Sequence, residues 1–259
     1  MRPFESRVLG QTGLRVGPMG VAASYGVPAA AVERAFERGV NYLYWGSLRR
    51  GAFAQAIRNL ARQRERMVLV LQSYTRLPSL LDFSIKRALR ALRLDYADVL
   101  LLGLWNKPVP RRILDACEAA RARGLVRFLA ISSHNRKLVA DLAATRSLDV
   151  VHFRYNAAHP GAEIDIFPHL SQESRAGMVS FTATSWGQLL KPAKGAPSER
   201  VPSASDCYRF VLTRPEVDLC LTGPANAAQM EEALKALDRG PMDEEELAWM
   251  RRFGAAVRG

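Results

Sequence analysis

SLLDFSIKRALRALRLDYADVLLLGLW, residues 79–105, is the stretch that decides how this chain folds. It opens on Ser79-Leu80-Leu81-Asp82, a polar N-cap followed by an acid, and spaces Ile85, Leu89 and Leu92 to share one helical face. Lys86, Arg87, Arg90 and Arg93 take the other face. After a turn at Asp95-Tyr96, the run Asp98-Val99-Leu100-Leu101-Leu102-Gly103-Leu104 has no polar alternation. A strand with that pattern is buried on both sides, as in a parallel sheet covered by helices. In barrels of this construction the chemistry sits at the carboxyl ends of the strands. Here that end is Gly103, which brings no side chain.

Outward from this unit, strands and helices alternate. Arg7-Val8-Leu9-Gly10 and Leu14-Arg15-Val16 flank Gln11-Thr12-Gly13, a pattern that predicts a small N-terminal hairpin. Strands are predicted over 17–22, 40–45, 67–72, 98–104, 126–132, 150–155, 178–183 and 217–222. Helices are predicted over 28–38, 52–62, 79–93, 111–123, 136–145, 167–175, 203–213 and 226–238, with an extra C-terminal helix over 243–253. Gly39, Gly124, Gly177 and Gly240 fall where a left-handed helix cap is wanted. Eight strand–helix units in succession predict an α/β protein, a (β/α)8 barrel. A doubly wound open sheet is the competing arrangement, but no glycine-rich dinucleotide loop follows the first strand. No Pro/Ser linker divides the chain, so residues 1–259 are read as one domain. The segments 156–166 and 184–202 are too long for plain connectors and should lie over the carboxyl face.

A chain of 259 residues with 48% hydrophobic content supports a core of that size. No apolar run approaches the ~20 residues that a bilayer needs. The opening Met1-Arg2-Pro3-Phe4-Glu5-Ser6 lacks the apolar stretch of a signal peptide. Cys117, Cys207 and Cys220 are an odd, widely spaced set without metal-ligand pattern, so reduced buried thiols in a cytoplasmic protein are expected. The net charge of +12 comes largely from arginines on predicted helices that circle the molecule. A nucleic-acid footprint would concentrate them on one face among aromatics, so this distribution argues against one. It still attracts anions.

At this point the sequence resembles the aldo-keto reductases, over nearly its full length and in the right order. The start Arg7-x-Leu9-Gly10-x-Thr12-Gly13-Leu14-x-Val16 is similar to that family's, as are Gly39-Val40-Asn41, Asp95-Tyr96-x-Asp98-Val99, Gly124-Leu125-Val126-Arg127 and Tyr155-Asn156. The segment Gly223-Pro224-Ala225-Asn226-Ala227-Ala228-Gln229-Met230-Glu231-Glu232 resembles the one that holds the cofactor's adenosine half.

The resemblance implies carbonyl reduction with NADP(H) by four side chains: an aspartate, a proton-donating tyrosine, a lysine that lowers its pKa and a histidine that orients the carbonyl. A phenol of pKa ~10 is a poor acid at neutral pH until positive charge adjusts it. Matched residue by residue, the aspartate position falls on Tyr44 and the tyrosine position within Leu48-Arg49-Arg50. The lysine position falls on Gln72-Ser73 and the histidine position on Gly103. All four expected residues are absent, which implies a non-standard site if this is an NAD(P)(H)-linked oxidoreductase, or else a non-catalytic pseudoenzyme that binds a ligand or partner.

For the cofactor, the resemblance implies nicotinamide contacts from Ser132, Ser133 and His152, the last standing where glutamine is expected. The stacking ring should come from near Phe181-Thr182-Ala183-Thr184, where Thr182 or Ala183 aligns and Trp186 offers a substitute. Gly223, Gln229 and Glu232 match the adenosine side, and Lys191 and Lys194 lie in the loop over the pyrophosphate. Period-two alternation puts His152 and Arg154 on the same side of their strand. Arg154 then has two readings: an internal ion pair with Glu163 or Asp165, or an anchor for an anionic ligand. Tyr44-Trp45 likewise reads either as space filling or, for Tyr44, as a relocated acid tuned by Arg49, Arg50 or Arg154. His134, His152 and His159 have no helix-ligand spacing, so no metal is expected.

Overall fold

A computed structural model of the chain describes residues 3–46, 48–171, 174–195 and 200–258. Strands β1 (Arg7–Val8) and β2 (Arg15–Val16) form an antiparallel hairpin. β3 (Met19–Ala22), β4 (Tyr42–Trp45), β5 (Val68–Gln72), β6 (Ala97–Leu104), β7 (Val126–Ser133), β8 (Val150–Arg154), β9 (Gly177–Phe181) and β10 (Leu219–Thr222) close in sequence order into a parallel barrel. Around it lie α1 (Ala29–Glu37), α2 (Gly51–Asn59), α3 (Pro78–Leu92), α4 (Arg111–Ala122), α5 (Arg136–Thr145), the short α6 (Ala162–Asp165), α7 (Ala204–Leu212) and α8 (Ala227–Arg239). α9 (Glu244–Arg258) adds a terminal helix. The predicted (β/α)8 barrel is therefore the architecture observed.

The two-sided burial read from residues 98–104 divides as a barrel requires. Val99 and Leu101 join Tyr42, Val68, Val70, Ala130, Val150, Val179 and Leu219 inside the barrel. Leu100 and Leu102 join the larger cluster between strands and helices, where Leu81, Ile85, Leu89 and Leu92 of α3 also pack. The hairpin seals the amino end of the barrel: Leu9 is wholly buried and packs in the interior cluster. Gly10, at φ +52°, sits so close that a Cβ would meet the Gly177 nitrogen at 2.2 Å.

Carboxylates at the starts of alternate strands finish this closed end. Asp98 accepts the Leu69 backbone N–H at 2.8 Å, Asp149 that of Leu129 and Asp218 that of Met178. Asp98 is neutralised by Arg64 and Arg127, and Asp218 by both arms of Arg175 at 2.7 and 2.8 Å. Elsewhere, Arg209 of α7 is fully buried, donates to the Gly240 and Pro241 carbonyls, and pairs with both oxygens of Glu246 at 2.5 and 2.6 Å, fastening α9.

Several local expectations are corrected. α3 starts at Pro78, whose fixed φ suits the first helical turn, with Leu77 at the cap, so Ser79 and Asp82 lie inside the helix. Asp82 instead pairs with Lys86 and Arg123. Gly177 opens β9 rather than capping a helix; a Cβ there would meet Leu9 at 2.6 Å. In place of a helix over 167–175 there is one 3-10 turn, Phe167–His169, with residues 172 and 173 outside the described set. All three cysteines are buried and unpaired. Among the described residues no helix is long and apolar enough to cross a membrane.

Truncating Asp218 would strand the Arg175 guanidinium, 12% exposed, beside an unsatisfied N–H. Asp218→Ala is expected to cost about 3–5 kcal/mol, read as a lowered urea midpoint with an unchanged slope.

Candidate active site at the carboxyl mouth

The inward positions of β4 and β5 near their carboxyl ends are Tyr44 and Gln72. Tyr44 is half-buried and lies within hydrogen-bonding reach of the Gln72 side chain and the Tyr74 hydroxyl. Burial, then the Tyr74 and Tyr25 phenols, push the Tyr44 pKa above the ordinary tyrosine value, against a smaller lowering by Gln72. The cations expected to tune it, Arg49, Arg50 and Arg154, are not among the largest influences on it. Arg50 stacks on Trp45 at 4.3 Å, and Arg49 is exposed at φ +44°. Trp45 points the opposite way from Tyr44, outward into the helix layer, so it does not line the mouth.

Gly103 has a conformational reason to be glycine. It lies at φ +75° where the β6–β7 register shifts between Leu101 and Leu104. A Cβ there would meet the Tyr74 ring at 2.6 Å. The space that a side chain would take on β6 is thus occupied by an aromatic ring from the end of β5.

Below the mouth, Tyr42 and His152 reach across the barrel to a bond of 2.8 Å between hydroxyl and Nε2. Both are buried, and burial pushes the His152 pKa down from 6.5 to about 3. The imidazole is therefore neutral, and its Nε2 is committed to Tyr42. Ser133 is buried as well, donating to Asn106 and accepting from the Asn135 N–H. Ser132 is half-buried and has no side-chain partner among the described residues.

Arg154 ends β8 half-buried, its guanidinium 5.9 Å from the Trp186 ring. The expected acid partners face elsewhere: Glu163 accepts from Tyr155 and pairs with Arg251, and Asp165 pairs with Arg136. Among the described residues no carboxylate lies within ion-pair distance of Arg154. Next to it, His134 stacks edge-on against Phe181 at 5.6 Å, and burial followed by the Arg154 charge lowers the pKa of His134 and of His159. Phe181, one residue before Thr182, packs against the interior cluster, and Trp186 is 62% exposed.

The charge is also less evenly spread than the helices suggested. The loops that follow the strands hold Arg49, Arg50, Arg76, Lys107, Lys191, Lys194 and Arg200, while the short α6 after β8 carries Glu163 and Asp165. Arg76 stacks on Trp105 at 3.6 Å. On the far side, Gly223 is covered by the Tyr25 ring, which a Cβ would meet at 2.3 Å. Gln229 accepts from the Ala225 N–H, while Glu232 accepts from Ser205 and pairs with Lys235. Lys191 is exposed. Among the described residues, no group of three or more His, Cys, Asp or Glu is placed to hold a metal ion.

These strand ends belong to a barrel with known kin. The sequence profile of the Aldo/keto reductase family matches residues 28–200. The chain belongs to the aldo/keto reductase family. L-galactose dehydrogenase of Arabidopsis thaliana is 25% identical over 301 residues, covering 96% of this chain and 93% of that protein. Among solved structures, the holo form of an aldo-keto reductase from Bacillus halodurans superposes with a TM-score of 0.79 at 19% identity, covering 96% of each chain. The apo form of that protein gives 0.74 at 20% identity, again over 96% of each chain.

The Tyr42–His152 brace carries a pH signature. The folded pKa lies below the unfolded one, so stability is full above pH ~6.5 and falls as pH drops toward 3. His152→Gln is expected to flatten that segment relative to the parent, a difference on the order of 5 kcal/mol across the whole window, measured by urea unfolding at a series of pH values.

Proposed function

We propose that this protein is an NADP(H)-binding, oxidoreductase-like member of its family whose mouth does not reduce carbonyls by the Asp-Tyr-Lys-His mechanism. The observation that carries the reading is the Tyr44–Gln72 contact. In the positions that the family gives to an aspartate and a lysine, a phenol meets a neutral amide, and the largest influences on the phenol are burial and its neighbouring phenols. Proton donation at neutral pH needs the pKa brought down, whereas here burial and two neighbouring phenols drive it up.

The fit to the cofactor differs between its two ends. At the adenosine end, the protein contacts of Gln229 and Glu232 lie at the surface, so these two, with Gly223 and Lys191, would hold the nucleotide by exchanging them. At the nicotinamide end, His152 and Ser133 are engaged with protein groups, which leaves the Ser132 hydroxyl to meet the carboxamide. Bound there, the cofactor would supply a hydride. The residues of this chain would orient it and present a small-molecule ligand at Tyr44, Tyr74 and Arg154. The engaged state of His152 and Ser133 favours one alternative, a non-catalytic barrel that binds a ligand or partner.

NADPH fluorescence titration, paired with NADPH oxidation in the presence of simple aldehydes, tests the reading. Micromolar binding without aldehyde turnover is expected, and Tyr44→Phe should leave any residual rate within about twofold. Brisk aldehyde reduction that Tyr44→Phe abolishes overturns it, and absence of NADPH binding leaves the non-catalytic alternative.

A further inference from the structure

Arg154 is a charge held at the barrel mouth with no carboxylate within ion-pair distance among the described residues. It points to the same side of β8 as the buried His152, and the strand partner of Arg154 is Phe181. Glu163 and Asp165, the acids expected to meet it, are bound to other cations. A guanidinium drawn partly out of water keeps its full desolvation cost unless an anion meets it. The planar fork fits a carboxylate through two parallel N–H bonds.

The surroundings add shape. Trp186 and Ser185 are held at φ +54° and +50°, and Thr182 at φ +64°, all in the left-handed region that non-glycine residues seldom adopt. Asn156 donates to the Thr182 carbonyl at 2.7 Å and accepts from the His159 N–H, pinning the two loops together. This arrangement leaves the Trp186 ring largely exposed beside the guanidinium. Strain of this kind is retained where the surroundings over-determine the geometry, and it concentrates at ligand clamps. The other indoles near the rim differ: Trp45 is buried, and Trp105 is half-buried under Arg76.

We propose that Arg154 and Trp186 form the subsite for a small flat organic acid, its carboxylate on the guanidinium and its body against the indole. His134 and Phe181 close the side toward β7. The inference rests on reading the mouth as a small-molecule site and is independent of whether nucleotide binds.

The test is calorimetric titration of the full chain, without nucleotide, using benzoate as the probe and benzamide as its neutral counterpart. Benzoate should bind about tenfold or more tightly than benzamide. Arg154→Gln should weaken benzoate about tenfold or more while the melting curve and the separately measured NADPH affinity stay put. Arg154→Lys, which keeps the charge and loses the fork, should give an intermediate loss, and Trp186→Leu should weaken both probes. Undetectable benzoate binding, equal binding of the two probes, or benzoate binding indifferent to Arg154→Gln and Arg154→Lys overturns the proposal. So does displacement of benzoate by an equal concentration of inorganic phosphate, or a parallel loss of NADPH affinity in Arg154→Gln, which would reassign the arginine to a phosphate.

Discussion

A ring of eight parallel strands has no edge to protect, but it has two open ends and an interior that side chains must fill. At the amino end this chain meets that constraint with matter from outside the ring. The hairpin inserts Leu9, and the close approach of Gly10 to Gly177 admits no larger residue at either position. Asp98, Asp149 and Asp218 then accept N–H groups of the neighbouring strands, from Leu69, Leu129 and Met178. Because buried carboxylates need counter-charges, arginines from the surrounding connections follow them there.

Toward the carboxyl end the filling turns polar without becoming charged. Tyr42 and His152 brace the interior as a neutral pair, and above them Tyr44 meets Gln72. Net charge reappears only at Arg154 and in the loops. A mouth made this way offers hydrogen-bonding groups and ring faces. Among the described residues, the cation at a carboxyl strand end is Arg154.

The barrel was legible because its signal is additive: eight apolar runs at regular spacing survive an error in any one of them. The two-sided burial of residues 98–104 needed only local pattern, and the helix face of Ile85, Leu89 and Leu92 only its period. Details that depend on what lies across a strand were less legible. Gly177 after a polar stretch looks like a helix cap, and nothing local shows Leu9 against it. Glu163 and Asp165 sit near Arg154 in sequence, yet Arg251 and Arg136 come from distant segments to take them. Trp45 follows Tyr44, so period two sends the rings to opposite sides, a signal that was present and outweighed by their adjacency. Tyr74 over Gly103 required the β5–β6 register and the bulge.

The buried Arg209 has a consequence for how the chain comes off the ribosome. Its neutralising partner, Glu246, lies in the final helix, 37 positions downstream. While that helix is still in the exit tunnel, α7 buries Arg209 with only Asp206 to offset it, 3.8 Å away and shared with Arg200 and Arg239. The last stave therefore closes late, and a nascent chain stalled before α9 emerges should remain open to proteases and holding chaperones at its α7–α8 flank.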